Sequence, residues 1–248
     1  MSLPRRALAE FAGTAALVAE VVGSGIMASE LSRDVGVQLL ANSLATAASL
    51  AVLILVLGPV SGAHFNPIVS VAAWLLTRRD ADPALRGRDL AAYLPAQVAG
   101  AVAGAVLANA MFALPALQLS ARALSAPHLL LGEVGATAGL ILLIFALARQ
   151  GRAALAPAAV GTYIGAAYWW TSSTSFANPA VTLGRAFTDT FAGIAPASVP
   201  GFVAAQLAGA ALGGLLLVAL YPRAPHALPD LAPVPAADPA RQAAAEPR

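Results

Sequence analysis

"TSSTSFANPAVTLGRAF", Thr171 to Phe187, lies in a chain otherwise dominated by Ala, Leu and Val. Its polar run ends in Asn178-Pro179-Ala180. A related stretch, "SGAHFNPIVSVAAWL" from Ser61 to Leu75, carries Asn66-Pro67-Ile68 in the first half of the chain. Pro is well placed at the first position of a helix, where its missing N–H costs nothing. Asn just before it is a favoured N-cap. Each Asn-Pro therefore reads as a helix start. The apolar segments that follow, near 66–77 and 178–188, run about ten residues each, or about 15 Å of helix. That is half of a hydrocarbon core about 30 Å thick. Helices of this length reach the middle of a bilayer and stop.

Composition supports a bilayer. The 248 residues are 59% hydrophobic and only 10% charged, against about 25% charged in soluble domains. A net charge of +2, with Arg as the only strongly basic residue type, is too small for nucleic-acid binding. There is no Cys, which excludes disulfides, thiolate metal sites and cysteine nucleophiles. His64, His128 and His226 are scattered without metal-ligand spacing. No catalytic constellation, phosphate loop or cofactor signature is visible, so the expectation is a non-enzyme without cofactor or metal. The N-terminal "MSLPRR" before an apolar run resembles a signal peptide. However, 7–28 is too long for an h-region and contains Glu10 and Glu20, so it reads as a retained first span.

A transmembrane helix needs about 20 mostly apolar residues. Six stretches qualify, near 7–28, 37–57, 89–112, 128–149, 155–172 and 198–221. With both termini inside, the cytoplasmic segments hold Arg5, Arg6, Arg78, Arg79, Arg86, Arg88, Arg149, Arg152, Arg223, Arg241 and Arg248. The outside keeps Arg33, Arg122 and Arg185. That asymmetry sets the orientation.

The halves repeat. "YLPAQVAGAVAG" (93–104) matches "FVAAQLAGAALG" (202–213) at six of twelve positions, Gln97 with Gln206 among them. "AEFAGTAALV" (9–18) pairs with "GEVGATAGLI" (132–141) and aligns Glu10 with Glu133. Three spans per unit, an odd number, turn the second unit upside down, and inverted repeats place a transport site where they meet. The expected fold is therefore all-α and integral to the membrane, with six transmembrane helices and two re-entrant half-helices. Repeat one covers about 7–112 and repeat two about 128–221, within a channel domain of 1–221. Residues 222–248, with seven Pro in 27, read as a disordered cytoplasmic tail.

Irregular backbone at membrane depth is tolerated only where it is buried in protein or lines a water-filled cavity. Two half-helices entering from opposite faces meet N-terminus to N-terminus. Each contributes of order half an elementary positive charge, and Asn66 and Asn178 can aim amide donors into the same space. Such a centre repels cations and hopping protons and offers donors to an uncharged solute. The plain alternative is a pair of helix caps in surface loops. Two such elements in register within a repeat weigh against it.

On these residues the chain resembles the aquaporin/glycerol-facilitator (major intrinsic protein) family over about 7–221. The signatures are "AEFAGT", "SGAHFNPIVS" and "FANPAVT". The resemblance implies a homotetramer with one pore per protomer, passing water or small neutral solutes passively. Ile68 stands where the family usually has Ala, and its bulk is expected to press on the opposing half-helix. Val181 stands where most members carry the Arg of the narrow outer filter. Carried over by spacing, the other filter positions fall on Thr46, Ala166 (or Gly165) and Ser175. Such a ring has neither aromatic nor cation and should admit solutes larger than water. "SFANPAVT" with "FTDTFAGIAP" looks most like a bacterial subgroup associated with arsenic-resistance operons. It suggests arsenite, neutral As(OH)₃ at pH 7, with glycerol-like polyols next and urea and boric acid compatible, in a bacterial inner membrane.

Glu10 and Glu133 are symmetric charges inside spans, where ionisable residues default to function. The preferred reading is structural: each carboxylate accepts hydrogen bonds from a re-entrant loop, as the resemblance also implies. Glu20 faces Leu143 in the repeat alignment. Pore lining, a tetramer contact and snorkelling to the outer surface all remain open for it, and it keeps a proton-coupled transporter in view. Arg185 lies one turn beyond Val181, either as a displaced vestibule cation or, in the preferred reading, as a helix-end cation at the interface. The resemblance puts His64 on the cytoplasmic half of the pore, hydrogen-bonded and neutral rather than a pH gate. Gly100, Gly104, Gly209 and Gly213 form small-xxx-small pairs that permit close helix approach.

Overall fold

The computed structural model describes residues 1–78 and 83–222. Among the described residues, eight α-helices and three short 3-10 turns account for the regular structure, and there is no strand. The first repeat contains α1 (Leu3–Leu31), α2 (Val35–Ser61), α3 (Pro67–Thr77) and α4 (Gly87–Met111). The second contains α5 (Pro127–Arg149), α6 (Ala156–Trp170), α7 (Pro179–Gly184) and α8 (Val199–Leu220). A 3-10 turn over Arg185–Phe187 extends α7. The tail expected over 222–248, together with Arg79, Arg223, Arg241 and Arg248 of the charge asymmetry, lies outside the described residues except for Pro222.

The packing follows the repeat. Helix α1 lies along α4 as α5 lies along α8, and α2 against α6 joins the two units. Small residues make this possible. A Cβ on Gly104 would overlap the Ala15 carbonyl, and one on Gly213 would overlap the Ala138 carbonyl. Lipid gives no hydrophobic drive for helix association, so such close van der Waals approach supplies much of the attraction. Gly214, one residue on, faces open space. Outward-facing Leu44, Val52, Leu215 and Val218 are exposed, as a surface bathed in hydrocarbon requires.

Among the described residues, five helices, α1, α2, α4, α5 and α8, are long and apolar enough to cross a membrane. The sixth expected span, 155–172, is realised more briefly as the 15 residues of α6. These give about 22 Å of helix, and the 3-10 turn Ala153–Leu155 leads into them. Pro157 at its start and the "TSST" run beyond Trp170 bound the element.

The two Asn-Pro elements start helices as their chemistry dictates. Asn66 Oδ1 accepts from Ile68 N at 3.0 Å. Asn178 Oδ1 accepts from Ala180 N at 3.0 Å and Val181 N at 3.3 Å. Substituting Gly104 with Val is expected to cost at least the roughly 1–3 kcal/mol typical of overpacking and to lower the melting temperature in detergent. Gly214→Ala should leave that temperature within a degree or two of wild type, and equal effects of the two changes would contradict this packing account.

Candidate functional site

The site is built by two loops that meet where the repeats join. Their backbones match. Ala63 and Phe65 in the first loop, and Ser175 and Ala177 in the second, all take positive φ between 47° and 53°. Left-handed backbone at a residue with a side chain is strained and persists only where the surroundings enforce it. The enforcing groups are two carboxylates. Glu10 accepts from Ser61 Oγ (2.7 Å), His64 N (3.0 Å), Phe65 N (2.7 Å) and Gln97 Nε2 (2.7 Å). Glu133 accepts from Phe176 N (2.8 Å), Ala177 N (2.8 Å) and Gln206 Nε2 (2.6 Å).

Each glutamine also ties to its half-helix: Gln97 donates to Ser70 Oγ at 2.9 Å and Gln206 to Thr182 Oγ1 at 2.9 Å. Both glutamates and both glutamines are completely buried. Sequence alignment paired Gln97 with Gln206 without giving them a task. Their signal was a polar residue at equivalent positions of two apolar spans.

The asparagines lock the loops to each other. Asn66 Nδ2 donates to the Ala177 carbonyl at 2.8 Å, and Asn178 Nδ2 donates to the Phe65 carbonyl at 2.7 Å. Each Asn thus reaches the residue just before the other. One amide N–H of each is used in this way, and the second makes no hydrogen bond among the described residues. Ile68 is buried in the core. Its bulk does not part the half-helices, because both cross-loop hydrogen bonds form.

A cavity of about 570 Å³ runs past this junction. Asn66, Asn178, His64, Thr46, Ser175, Val181 and Arg185 all line it. Pro67, Ile68, Pro179 and Ala180 sit behind, shaping the helix starts. The His64 ring bonds Ser70 Oγ through Nδ1 at 3.0 Å and meets Tyr93 edge-on at 5.7 Å.

Three expectations change. Ala166 is exposed and Gly165 packs against Ala47 of α2, so neither reaches the cavity. The cavity face of α6 is instead Pro157, Val160, Ile164 and Tyr168, a stripe at helical spacing. Ala166 lies about 200° round the helix from both Ile164 and Tyr168. Spacing counted through the irregular "TSST" run therefore missed the right face, whereas the apolar stripe ending in Tyr168 would have found it. Tyr168 is buried and its hydroxyl pairs with Thr46 Oγ1 at 3.1 Å.

Arg185 is the second change. It is only 4% exposed and lies over the Phe176 ring with the guanidinium carbon 3.4 Å from the centroid. Its Nε–H donates to the Ala192 carbonyl. The wall therefore contains an aromatic hydroxyl and a cation, in place of a ring lacking both. Glu20 is the third. Its carboxylate oxygens are shielded from solvent, with the hydroxyls of Ser24 and Thr46 as neighbours. It neither lines the cavity nor snorkels outward but lies behind Thr46.

In Glu133→Gln, one acceptor oxygen becomes a donor facing a backbone N–H. Losing charge-assisted hydrogen bonds of roughly 1.5–3 kcal/mol is expected to lower the melting temperature and solute flux together. Glu10→Gln should do the same by symmetry. Wild-type flux in either variant would contradict the bracing role.

The comparisons agree with this architecture. The model of the major intrinsic protein family matches residues 1–175, which includes the first Asn-Pro element and ends just before the second. Aquaglyceroporin AqpS of Rhizobium meliloti (strain 1021) is 54% identical over 208 residues, covering 84% of this chain and 86% of that protein. A glycerol uptake facilitator protein of Pseudomonas aeruginosa is 36% identical over 111 residues, covering 45% of this chain and 37% of that protein. Aquaporin Z of Brucella melitensis is 36% identical over 99 residues, 40% of each chain. The crystal structure of the aquaglyceroporin from Plasmodium falciparum superimposes with a TM-score of 0.66 at 21% identity. It covers 89% of this chain and 96% of that one, a likeness of fold. With inverted repeats, paired half-helices and a relative matched over most of its length, the chain belongs to the major intrinsic protein family.

Proposed function

We propose that this protein is a passive membrane channel for small neutral solutes larger than water. Arsenite is the leading substrate, glycerol-like polyols come next, and water passes as well. The observation that carries this reading is the cavity of about 570 Å³ at the junction of the half-helices. Its wall is largely apolar, interrupted by Asn66, Asn178, Thr46, His64, Ser175, Tyr168 and Arg185. A trihydroxyl solute finds donors in the free amide N–H groups and exchangeable partners in the Thr46–Tyr168 hydroxyl pair. Apolar faces such as Val181 and Ile164 suit its hydrocarbon or arsenic centre.

Val181 in place of the usual filter Arg leaves room beside the second half-helix. The relative named aquaglyceroporin, matched over most of its length, supports solutes larger than water. The choice of arsenite rests on the resemblance of "SFANPAVT" and "FTDTFAGIAP" to the arsenic-operon subgroup, and on the likeness of As(OH)₃ to a polyol. A bacterial inner membrane, cytoplasmic termini and a homotetramer with one pore per protomer complete the proposal. The apolar outer faces of α2 and α8 suit both lipid and neighbouring protomers.

A proton-coupled transporter working through Glu20 is the second reading, and the placement of that carboxylate behind the cavity wall disfavours it. A non-conducting junction protein would leave the polar groups in the wall without a task.

Stopped-flow light scattering of proteoliposomes tests the proposal. Wild type should pass glycerol and arsenite. Val181→Arg should lower both fluxes by about tenfold, equivalent to ~1.4 kcal/mol at the barrier, with water affected less. Wild type passing water alone would end the reading.

A further inference from the structure

Arg185 is the cation of the cavity wall, and its hydrogen bonding is incomplete. Only Nε–H is engaged, with the Ala192 carbonyl. The two terminal amino groups make no hydrogen bond within the described residues. No carboxylate lies within ion-pair distance, since the ion pairs among the described residues all involve Asp89. Glu133, the nearest acidic influence from α5, is committed to the loop backbone and Gln206. The other charge acting on Arg185 is Arg122, which is of the same sign. Ser175 adds a buried hydroxyl without a partner, three residues before Asn178 of the second Asn-Pro.

A buried guanidinium normally finds a carboxylate or several carbonyls, because leaving a charge unpaired in low dielectric is costly. Here stacking on Phe176 and a single carbonyl hold it in place. That leaves a rigid fork of donors open to a cavity of about 570 Å³. The fork geometry matches two oxygens of one planar anion, which a point charge would not.

We propose that Arg185 makes its end of the cavity a binding site for a small planar monovalent oxyanion of the carboxylate or nitrate kind. The anion sits against the Phe176-braced guanidinium, in the path of neutral solutes, and therefore inhibits their passage. This goes beyond the neutral-solute reading and rests on it only where flux is the readout. The Thr46–Tyr168 pair flanks the site and supplies a hydroxyl donor to the same anion. Val181 is what makes the arrangement possible. A second Arg there would compete for the anion or repel Arg185 from its place on Phe176.

The test uses proteoliposomes at pH 8, with glycerol flux followed as sodium nitrate or sodium formate replaces sodium gluconate at constant ionic strength. Wild type is expected to show saturable inhibition with a midpoint of about 10 mM, the weak end of small-ligand affinity. In Arg185→Gln the midpoint should rise by about tenfold or disappear, because charge-assisted bidentate hydrogen bonds are lost. Arg185→Lys should fall between the two, keeping the charge without the fork.

Binding is read separately by saturation-transfer NMR of formate on detergent-solubilised wild type, with nitrate as competitor. A formate signal displaced by nitrate supports the site even if glycerol flux is absent, in which case only the neutral-solute reading fails. No formate signal in wild type overturns the proposal. So does inhibition of equal midpoint in wild type and Arg185→Gln. Should Arg185→Gln fail to assemble, Arg185→Lys decides: an unshifted midpoint for both anions overturns the fork.

Discussion

Everything at the centre of this protein depends on two buried carboxylates accepting hydrogen bonds from loops that have no secondary structure of their own. A charge in a transmembrane helix costs about 2.5–3.5 kcal/mol by insertion measurements. Glu10 and Glu133 offset that cost with four and three donors respectively. Two of those donors in each loop are backbone N–H groups that would otherwise be orphaned at membrane depth. The strained left-handed residues Phe65 and Ala177 are held in the same step. Removing the carboxylate would leave both the backbone amides and the dihedral strain without a counterweight. The glutamates therefore belong to the pore although neither touches its lumen.

Two levels of cross-bracing build on that support. Within each repeat a glutamine links the carboxylate to the half-helix, through Ser70 or Thr182. Between repeats the asparagines exchange hydrogen bonds with the opposite loop. The half-helix ends are thereby fixed against each other rather than merely abutted. Chemistry then differs around the wall. The junction offers neutral amide donors, the Thr46–Tyr168 pair offers hydroxyls, and Arg185 offers a cation braced by an aromatic ring. Arg185 thus keeps a positive charge in the same wall one turn beyond Val181.

Much of this was legible in the sequence, for physical reasons. Asn-Pro favours a helix start, and two of them followed by segments too short to span leave few alternatives. Glu10 and Glu133 stood out because a charge in an apolar span needs a reason, and the repeat placed the two at equivalent points. The register of α6 was not legible through counting. The loop between Trp170 and Asn178 contains consecutive positive-φ residues, Thr174 and Ser175, so distance along the chain does not translate into a helical face. Periodicity within α6 was the better guide and leads to Tyr168. The placement of Arg185 could not be read at all, because its burial depends on Phe176 and on the chain returning at Ala192. Neither lies within a turn of it. Glu20 was ambiguous because its neighbours Thr46 and Ser24 come from two helices whose relative rotation only packing determines.

The central claim is that solutes cross passively, as neutral species, through the junction of Asn66 and Asn178. Glycerol flux into proteoliposomes, measured with and without an imposed proton gradient while membrane current is followed, tests it most directly. The account predicts a flux indifferent to the gradient in either direction and no accompanying proton current. A flux that rises with the gradient and carries charge would contradict it and make Glu20 the centre of a different mechanism.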